Sequence, residues 1–293
     1  NRKQIRDAFG ITLGQAAGTS QDTLDGALSL RVHTGIDART GIFSALLAQK
    51  GITGPKKVLE GYWGYYNTYA NGDYNKDFLL GDLGRKFYNL NTPFKLIPGC
   101  YGVHDAAEGA TELSKEHNIS PDKVAEVMLG VVKGNHQFTI FETKPFEIGD
   151  VPQVDAQFSA RFMLANAILR RSCKIEHFTD KYIEEASLQN LIKKIVVKQM
   201  FDPTDSHWPP LRVEIKMKNG VVYTTDRQYP KGTPENPASK EEILDKFKRN
   251  IAYSATTSKQ ISEDVGKQLI ELAGRLEELD DVTQIIRLIT PQG

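Results

Sequence analysis

The sequence predicts an α+β protein in which one mixed module lies between two helical stretches. Apolar residues recur with helical spacing up to about Tyr88, and again after residue 239. Between these stretches, two runs of alternating apolar and polar residues flank Asn219-Gly220, a pattern typical of a β-hairpin. The composition changes at about Pro93 and again at the linker 230–237, PKGTPENP, so these two points mark the borders of the module.

The first stretch is predicted to contain helices joined by glycine turns. Two apolar stripes have helical spacing: Ile5, Ala8, Phe9, Leu13 and Ala16, then Ala38, Ile42, Ala45 and Leu46. Gly51 follows Lys50, which predicts a left-handed cap at the end of the second helix. Because helical spacing is present from the first residues and no initiator Met precedes them, we expect residues of the same fold before Asn1 in the parent protein.

The central module is predicted to combine helices with strands. A β-branched run predicts a strand over Val127–Val132. Helical spacing predicts three helices, over Ala106–Leu113, Phe158–Leu169 and Ile183–Val197. The alternating runs 211–217 and 221–225 form the hairpin, and Asn-Gly predicts a two-residue type I′ turn between them, because both residues tolerate positive φ angles.

The closing stretch is predicted to be helical. Ser239 and Glu242 have the spacing of a capping box, in which two side chains satisfy free amides at the start of a helix. Apolar residues then predict one long amphipathic helix from about Ile261 to about Leu279.

Composition narrows the possible functions. Lys plus Arg and Asp plus Glu number 37 each, so no net charge would attract the molecule to nucleic acid or to anionic lipid. No apolar run approaches the ~18 residues of a membrane span. The two cysteines, Cys100 and Cys173, are too few for a disulfide framework, which indicates a reducing compartment and a cytoplasmic protein. The six histidines lack metal-ligand spacing, so we expect no metal site.

Two clusters could carry chemistry. In the segment 28–41, Arg31, His33 and Arg39 lead into a helix, where cations and free amides would favour an anion; the alternative is a solvated basic turn. In the second cluster, Lys95, Cys100 and His104 lie within ten residues at the border of the module and could supply an anion clamp, a weak acid and a base. The alternative there is a solvated lysine, a packed thiol and a capping histidine.

Two motifs resemble the MmgE/PrpD family. One is His33-x-Gly35-x-x-Ala38-x-x-Gly41, which is continued by Ala45-x-x-Ala48-x-x-Gly51-x-x-Gly54-Pro55 and by Leu59-Glu60-Gly61. The other is Lys95-x-x-Pro98-x-Cys100-x-x-x-His104, and a third point of likeness is the segment 156–159, AQFS, before an alanine-rich helix. The likeness extends through nearly the whole chain.

The resemblance implies a fold and a chemistry. It implies a large all-helical domain made from residues 1–92 and 230–293, with an α+β lid, residues 93–229, inserted between them. It also implies a homodimer that acts without a cofactor on a small anionic polycarboxylate. Lys95, Cys100 and His104 are then the catalytic candidates, and Arg31, His33 and His136 are the candidates for binding substrate.

One position departs from the family pattern. Dehydratases and decarboxylases of the family carry a lysine three residues before His33, where this chain has Leu30. Arg31 is adjacent and could clamp a carboxylate, although arginine cannot donate a proton. We therefore expect a metal-independent lyase similar to 2-methylcitrate dehydratase, with two alternatives: an epimerase or isomerase of a dicarboxylate, or a non-catalytic homologue that only binds an anion.

Overall fold

A computed structural model describes residues 1–134, 138–257 and 260–290, and it confirms the α+β class. The chain forms two compact units. The first unit comprises Asn1–Leu90 and Gly149–Val154, and the second comprises Asn91–Ile148 and Asp155–Gly293. In the described part of the chain, no helix combines the length and the apolar character needed to cross a membrane.

Helices build the first unit. They are α1 (Arg2–Leu13), α2 (Gln21–Asp25), α3 (Leu30–Gln49), α4 (Tyr65–Tyr69) and α5 (Lys76–Leu80). α1 packs against α3, and a capping box of Asn1 and Gln4 fixes its start. Gly51 has a φ of 95°, as the predicted left-handed cap requires. Within Asn1–Leu90, all of which the structure describes, Ala48 is the one buried hydrophobic residue.

The second unit is built around a four-stranded sheet. Its strands are β1 (Val124–Val132), β2 (Ile195–Phe201), β3 (Leu211–Met217) and β4 (Val222–Arg227). Its helices are α6 (His104–Glu116), α7 (Thr139–Thr143), α9 (Ala160–Arg170), α10 (Asp180–Ile183), α11 (Ala186–Ile192), α12 (Lys240–Ser254), α13 (Glu263–Gly274) and α14 (Thr283–Ile289). Helix α8 (Pro152–Gln157) crosses from the first unit into the second. Short 3₁₀ turns occupy Tyr88–Asn91, Tyr101–Val103, Pro121–Lys123, Ile175–Phe178 and Leu276–Glu278.

The sheet has the strand order β2-β1-β3-β4 and is mixed. β1 pairs in parallel with β2, where Val127 faces Ile195, and antiparallel with β3, where Val127 faces Ile215. α6 packs on β3, β4 and α9, and the shared core of these elements is almost entirely apolar. The sheet and these two helices therefore share one core, and α6 brings its first residue, His104, into it.

The predicted helix over Ile183–Val197 is wrong in its second half. α11 ends at Ile192, and Ile195 begins strand β2. The run 195–197, Ile-Val-Val, is β-branched and pairs with β1, so sheet pairing decides its conformation. A short apolar run fits a helix or a buried strand equally well, which explains the error.

The hairpin of β3 and β4 is confirmed, but the prediction of a two-residue type I′ turn is wrong. Met217 N donates to the carbonyl oxygen of Val221 at 2.8 Å, so three residues form the loop. Gly220 has a φ of 90°, whereas Asn219 is not among the described residues with positive φ. The loop is therefore a type I turn that ends in a left-handed glycine.

The closing stretch contains more helices than predicted. The capping box of Ser239 and Glu242 is confirmed at the start of α12. The long helix predicted from Ile261 to Leu279 is instead α13, which starts after the cap Ser262 and ends at Gly274. These closing helices belong to the second unit. The joining of residues 1–92 with residues 230–293 into one helical domain stays a prediction.

The linker 230–237 packs closely on the segment that precedes α6. Phe94 N donates to the carbonyl oxygen of Gly232 at 2.8 Å. Gly232 has a φ of 95°, and a Cβ atom at this position would lie 2.0 Å from the carbonyl oxygen of Phe94. Only glycine fits here, both for its conformation and for the space available.

We expect Gly232→Ala to destabilise the protein more than Gly220→Ala. Both glycines are left-handed, so each substitution costs about 1–2 kcal/mol in backbone conformation. No atom lies within 4 Å of a Cβ at Gly220, whereas the Phe94 backbone must move at Gly232, which adds about 1–3 kcal/mol. Urea unfolding of the two variants measures the difference. Equal unfolding midpoints would show that the close approach of linker and segment carries no energy.

Candidate active site

The second predicted cluster forms one compact turn in the second unit. Its backbone is held from one side, where Cys100 N donates to the carbonyl oxygen of Gln157 at 2.8 Å. A single 3₁₀ turn over Tyr101–Val103 follows, and α6 begins directly at His104. The structure therefore brings Lys95, Cys100 and His104 together on this turn, which we call the 95–105 turn.

Two lysines make the outer side of this turn positive. Lys95 Nζ donates to the carbonyl oxygen of Gly99 at 2.9 Å, which uses one of its three N–H groups. Lys246, on α12, donates from Nζ to the carbonyl oxygen of Lys95 at 2.6 Å. Burial, followed by the charges of Lys95 and Arg249, lowers the pKa of Lys246. In the described part of the chain, no carboxylate forms an ion pair with Lys95 or Lys246.

His104 lies at the inner side of the turn and is fully buried. Burial, with the charges of Lys95 and Lys246 acting in the same direction, lowers its pKa to about 3. The ring is therefore neutral at physiological pH, whereas an unperturbed histidine would titrate near neutrality. Hydrogen bonding to the backbone of Gly99 and of Ile97 opposes this shift but does not overcome it. A neutral imidazole of this kind can still accept or donate one hydrogen bond through each nitrogen.

Tyr101 connects the two sides of the turn. Its ring stacks on His104, with 4.5 Å between the ring centroids, and Lys95 Nζ lies 6.0 Å from the centroid of the same ring. Its hydroxyl lies 3.2 Å from the carbonyl oxygen of Phe94 and 3.0 Å from that of Lys231. Burial, with the charges of Glu108 and Asp105 adding to it, raises the pKa of Tyr101 to about 12, so the phenol stays protonated.

Cys100 is half-buried and is not part of a disulfide. Burial raises the pKa of its thiol, and the charge of Glu142 acts in the same direction, whereas the Gly102 amide and Lys95 oppose the shift. At neutral pH the side chain is therefore a thiol rather than a thiolate, and it is a weak hydrogen-bond donor rather than a nucleophile.

Asp105 follows His104 in the first turn of α6 and is also buried. Its nearest cation is Arg227 on β4, with 3.6 Å between Oδ1 and Nε, which is too long for a hydrogen bond. Arg227 instead bonds at 2.7 Å to Glu108 and to Glu112, farther along the same helix. Burial, with repulsion from Glu108, raises the pKa of Asp105 to about 7 despite the arginine.

Glu142 on α7 is the second buried acid near this turn. Its side chain is almost fully buried, and Oε2 has no hydrogen-bond partner among the described residues. Burial, with repulsion from Asp105, raises its pKa to about 7. Two carboxyl groups with pKa values close to neutrality are therefore buried behind the 95–105 turn, and neither was predicted from the sequence.

The first predicted cluster lies in the first unit. α3 begins at Leu30, so Arg31 and His33 occupy its first turn, whereas Arg39 lies farther along the helix and not at its start. His33 Nε2 is 3.2 Å from Oδ2 of the buried Asp22. This contact gives His33 a partner that the sequence did not predict. His136, the remaining candidate, lies outside the described residues.

A polar cleft of the second unit lies beside this turn. Its volume is about 690 Å³, and Leu96 and Ile97 form part of its wall. Most of the charged side chains in the wall are already paired, as in the contact of 3.4 Å between Lys231 and Glu242. The described part of the chain contains no cluster of three histidine, cysteine or acidic side chains that could hold a metal ion.

Comparison with known proteins gives two matches to family models. The model of the MmgE/PrpD N-terminal domain matches residues 1–77, and the model of the MmgE/PrpD C-terminal domain matches residues 97–272. Cys100 and His104 therefore lie inside the second match, and Lys95 lies two residues before it.

Three curated proteins are similar over nearly the whole chain. Cis-aconitate decarboxylase of Mus musculus is 23% identical, with 98% of this chain and 57% of the relative aligned. The protein of the same name from Homo sapiens is 24% identical, with the same two shares. Cis-aconitate decarboxylase-like protein oryM of Aspergillus oryzae is 24% identical, with 97% of this chain and 59% of the relative aligned. The chain thus spans less than two thirds of the length of these relatives.

We expect His104 to remain neutral across the physiological range. Because the pKa of His104 is lowered in the folded protein, the neutral ring contributes to stability above pH 6.5, the pKa of a histidine in the unfolded chain. This contribution is lost as the pH falls through about 3, the pKa in the folded protein. Its Cε1–H resonance should therefore keep a constant chemical shift between about pH 5 and pH 8. Proton NMR checks this, and His104→Gln identifies the resonance by its loss. A titration midpoint near pH 6.5 would contradict the burial of this ring.

Proposed function

The chain belongs to the MmgE/PrpD family, and from this we propose that it forms part of a metal-independent lyase that acts on a small polycarboxylate. The observation that carries the proposal is the 95–105 turn. Two ammonium groups without a carboxylate partner in the described residues lie beside a buried, neutral imidazole. Such a surplus of positive charge favours a ligand with several carboxylates.

The proposed reaction builds a carbanion next to a carboxylate. The bond to a proton or to a departing carboxyl group breaks, and its electron pair spreads onto the neighbouring carboxylate. In decarboxylation CO2 leaves and the carbanion then takes up a proton from water or from an acid of the site; in dehydration the electron pair expels the substrate hydroxyl group, which leaves as water after it takes up a proton. This carboxylate gains negative charge in the transition state, so fixed cations stabilise the transition state more than the bound substrate. Lys95 and Lys246 are the candidates for this stabilisation, because Lys95 is already positioned by Gly99 and Lys246 by the carbonyl of Lys95.

His104 and Cys100 are proposed to take part in the site as uncharged groups. The imidazole, with its lowered pKa, is a weak base, and as a neutral ring it can hold a substrate oxygen or a water by a hydrogen bond. The protonated thiol of Cys100 can line the pocket without adding negative charge. A direct role for His104 requires that substrate binding opens a path to this buried ring.

Decarboxylation is the reaction type that the relatives favour. All three are named as cis-aconitate decarboxylases or as similar to them. Dehydration of a hydroxy acid similar to 2-methylcitrate would use the same cations, because both reactions place negative charge on a carboxylate. We therefore propose a lyase first and leave the departing group to experiment.

Two other functions stay possible because of Leu30. This residue begins α3 at the position where the family pattern has a lysine. Without that lysine, one acid or base of a lyase is absent, which favours an epimerase or isomerase of a dicarboxylate, or a homologue that binds an anion without turnover. Arg31, His33 and His136 as substrate-binding residues, and the homodimer, stay predictions.

A screen by NMR in deuterated water separates these functions. The full-length protein is incubated with small di- and tricarboxylates, including cis-aconitate. A lyase yields a new product, an epimerase exchanges the proton next to a carboxylate without a change of skeleton, and a binder causes only line broadening. A protein that neither transforms nor binds any of these acids would refute the proposal.

We expect Lys95→Ala to lower turnover of the identified substrate by about a hundredfold or more, which is the usual effect of losing one such donor. Lys95→Arg should restore activity only in part, because the guanidinium fork has a different geometry from an ammonium. Thermal unfolding should change little, because Lys95 is exposed. Steady-state kinetics measures the effect.

The matched control is Lys216→Ala, which removes an exposed lysine from β3. It should keep wild-type kinetics. Unchanged turnover in Lys95→Ala would remove Lys95 from the site, and equal losses in both variants would show that the effect is not local.

A further inference from the structure

Glu142 is a buried acid for which the proposed chemistry has no use. Its side chain is 2% exposed, Oε2 has no hydrogen-bond partner, and no ion pair with a cation is present in the described part of the chain. A carboxylate in this position would lack both solvent and a counter-charge, so the protonated form is favoured by geometry alone.

The helix that carries Glu142 packs on the 95–105 turn. A Cβ atom on Gly102 would lie 2.4 Å from the ring of Phe138, the residue that precedes α7, so the two segments touch where glycine leaves space. Phe138 and Glu142 are four residues apart and share a helix face. Glu142 therefore faces the turn, and its charge acts on Cys100 and is coupled to that of Asp105.

Among the described residues, the other charged groups on the elements that pack against α7 form no ion pair with Glu142. α7 also packs on α9 and β1. On α9, Arg161 bonds to the carbonyl oxygen of Ile195, and Arg170 bonds to Asn166 and Glu185. On β1, Glu126 is exposed. Within the described ranges, the charged group that acts on Glu142 is thus Asp105, which disfavours its ionised form, and Cys100 faces it as a neutral thiol.

We infer that Glu142 takes up a proton when a polycarboxylate binds at Lys95 and Lys246, so that anion binding and proton binding are coupled at the 95–105 turn. This inference rests on the proposed function for the identity of the ligand. The physical reason is repulsion: an anion beside Cys100 adds negative charge to a region that already contains two buried acids, and protonation of Glu142 removes one of these charges. By linkage, the anion binds more weakly as the pH rises and Glu142 ionises.

The first experiment tests the proton on Glu142 without any ligand. We compare the unfolding of the wild type, Glu142→Gln and Glu147→Gln by urea between about pH 4 and pH 8. Glu147 is an exposed glutamate five residues farther along, so the control makes the same chemical change at the surface. His104 and His177, with lowered pKa values, contribute equally in all three proteins.

Because the pKa of Glu142 is raised in the folded protein, its protonated form stabilises the fold below pH 4.5, the pKa of a glutamate in the unfolded chain. This stability is lost as the pH rises through about 7, the pKa of Glu142 in the folded protein. The ratio of the unfolding constants of wild type and Glu142→Gln should therefore increase about a hundredfold or more from pH 4 to pH 8. The ratio for Glu147→Gln should stay constant. A constant ratio for Glu142→Gln would overturn the inference, because Glu142 would then ionise in the folded protein over the same pH range as in the unfolded chain.

The second experiment measures the coupling. Calorimetry of cis-aconitate or tricarballylate binding, in two buffers of different ionisation enthalpy, gives the protons taken up per site. Wild type and Glu147→Gln should take up a substantial fraction of one proton at about pH 8, and Glu142→Gln should bind without this uptake. Binding to wild type without proton uptake would overturn the coupling.

The two experiments separate the failure of each claim. If the wild type binds neither acid, the proposed function and the coupling both fail, although the unfolding data can still establish that Glu142 keeps a proton. If the wild type binds an acid but Glu142→Gln takes up as many protons as the wild type, the proposed function survives and the coupling fails.

Discussion

The burial of the first turn of α6 is the constraint on which the candidate site depends. Val103, Ala106, Ala107 and Ala110 pack into the core against the sheet and α9, so the helix cannot move outward without opening that core. His104 and Asp105 lie on the same turn and must share its low dielectric. Their charge states follow from this position: the imidazole loses its proton affinity and the carboxyl gains it.

Because of this burial, the lysines lie on the solvent side of the 95–105 turn and the acids lie on its buried side. Lys95 and Lys246 lie at the surface end of the turn, and each donates a hydrogen bond to a backbone carbonyl. The acids lie behind it, where burial removes solvation and Arg227 supports the ionised form of Asp105 only in part. Tyr101 lies between the two sides: its ring stacks on His104, and its hydroxyl hydrogen-bonds to the carbonyl oxygen of Lys231 in the linker. The site therefore presents positive charge to the solvent, and its buried acids have raised pKa values.

Local signals made much of the fold predictable. The capping box at Ser239 and the left-handed cap at Gly51 depend on neighbours in sequence, and both are confirmed. Strand β2 was missed because its conformation depends on pairing with β1, which is distant in sequence. The same distinction applies to the site. Lys95, Cys100 and His104 lie within ten residues and were found together, and Asp105 could have been noticed as an acid beside His104. Lys246 comes from a helix 151 residues beyond Lys95, and no local pattern connects them.

The position of β1 in the sheet also has a consequence for synthesis on the ribosome. β1 is the first strand to emerge, yet Val127 pairs with Ile195 on one side and with Ile215 on the other, so both partners are translated about 70 to 90 residues later. At ~5–20 residues per second, this interval lasts roughly 4–18 s. During this time the run 127–132, VMLGVV, has two unpaired edges and the apolar, weakly charged character of an aggregation-prone segment. The nascent chain therefore carries an unpaired apolar strand until β2 and β3 have been translated.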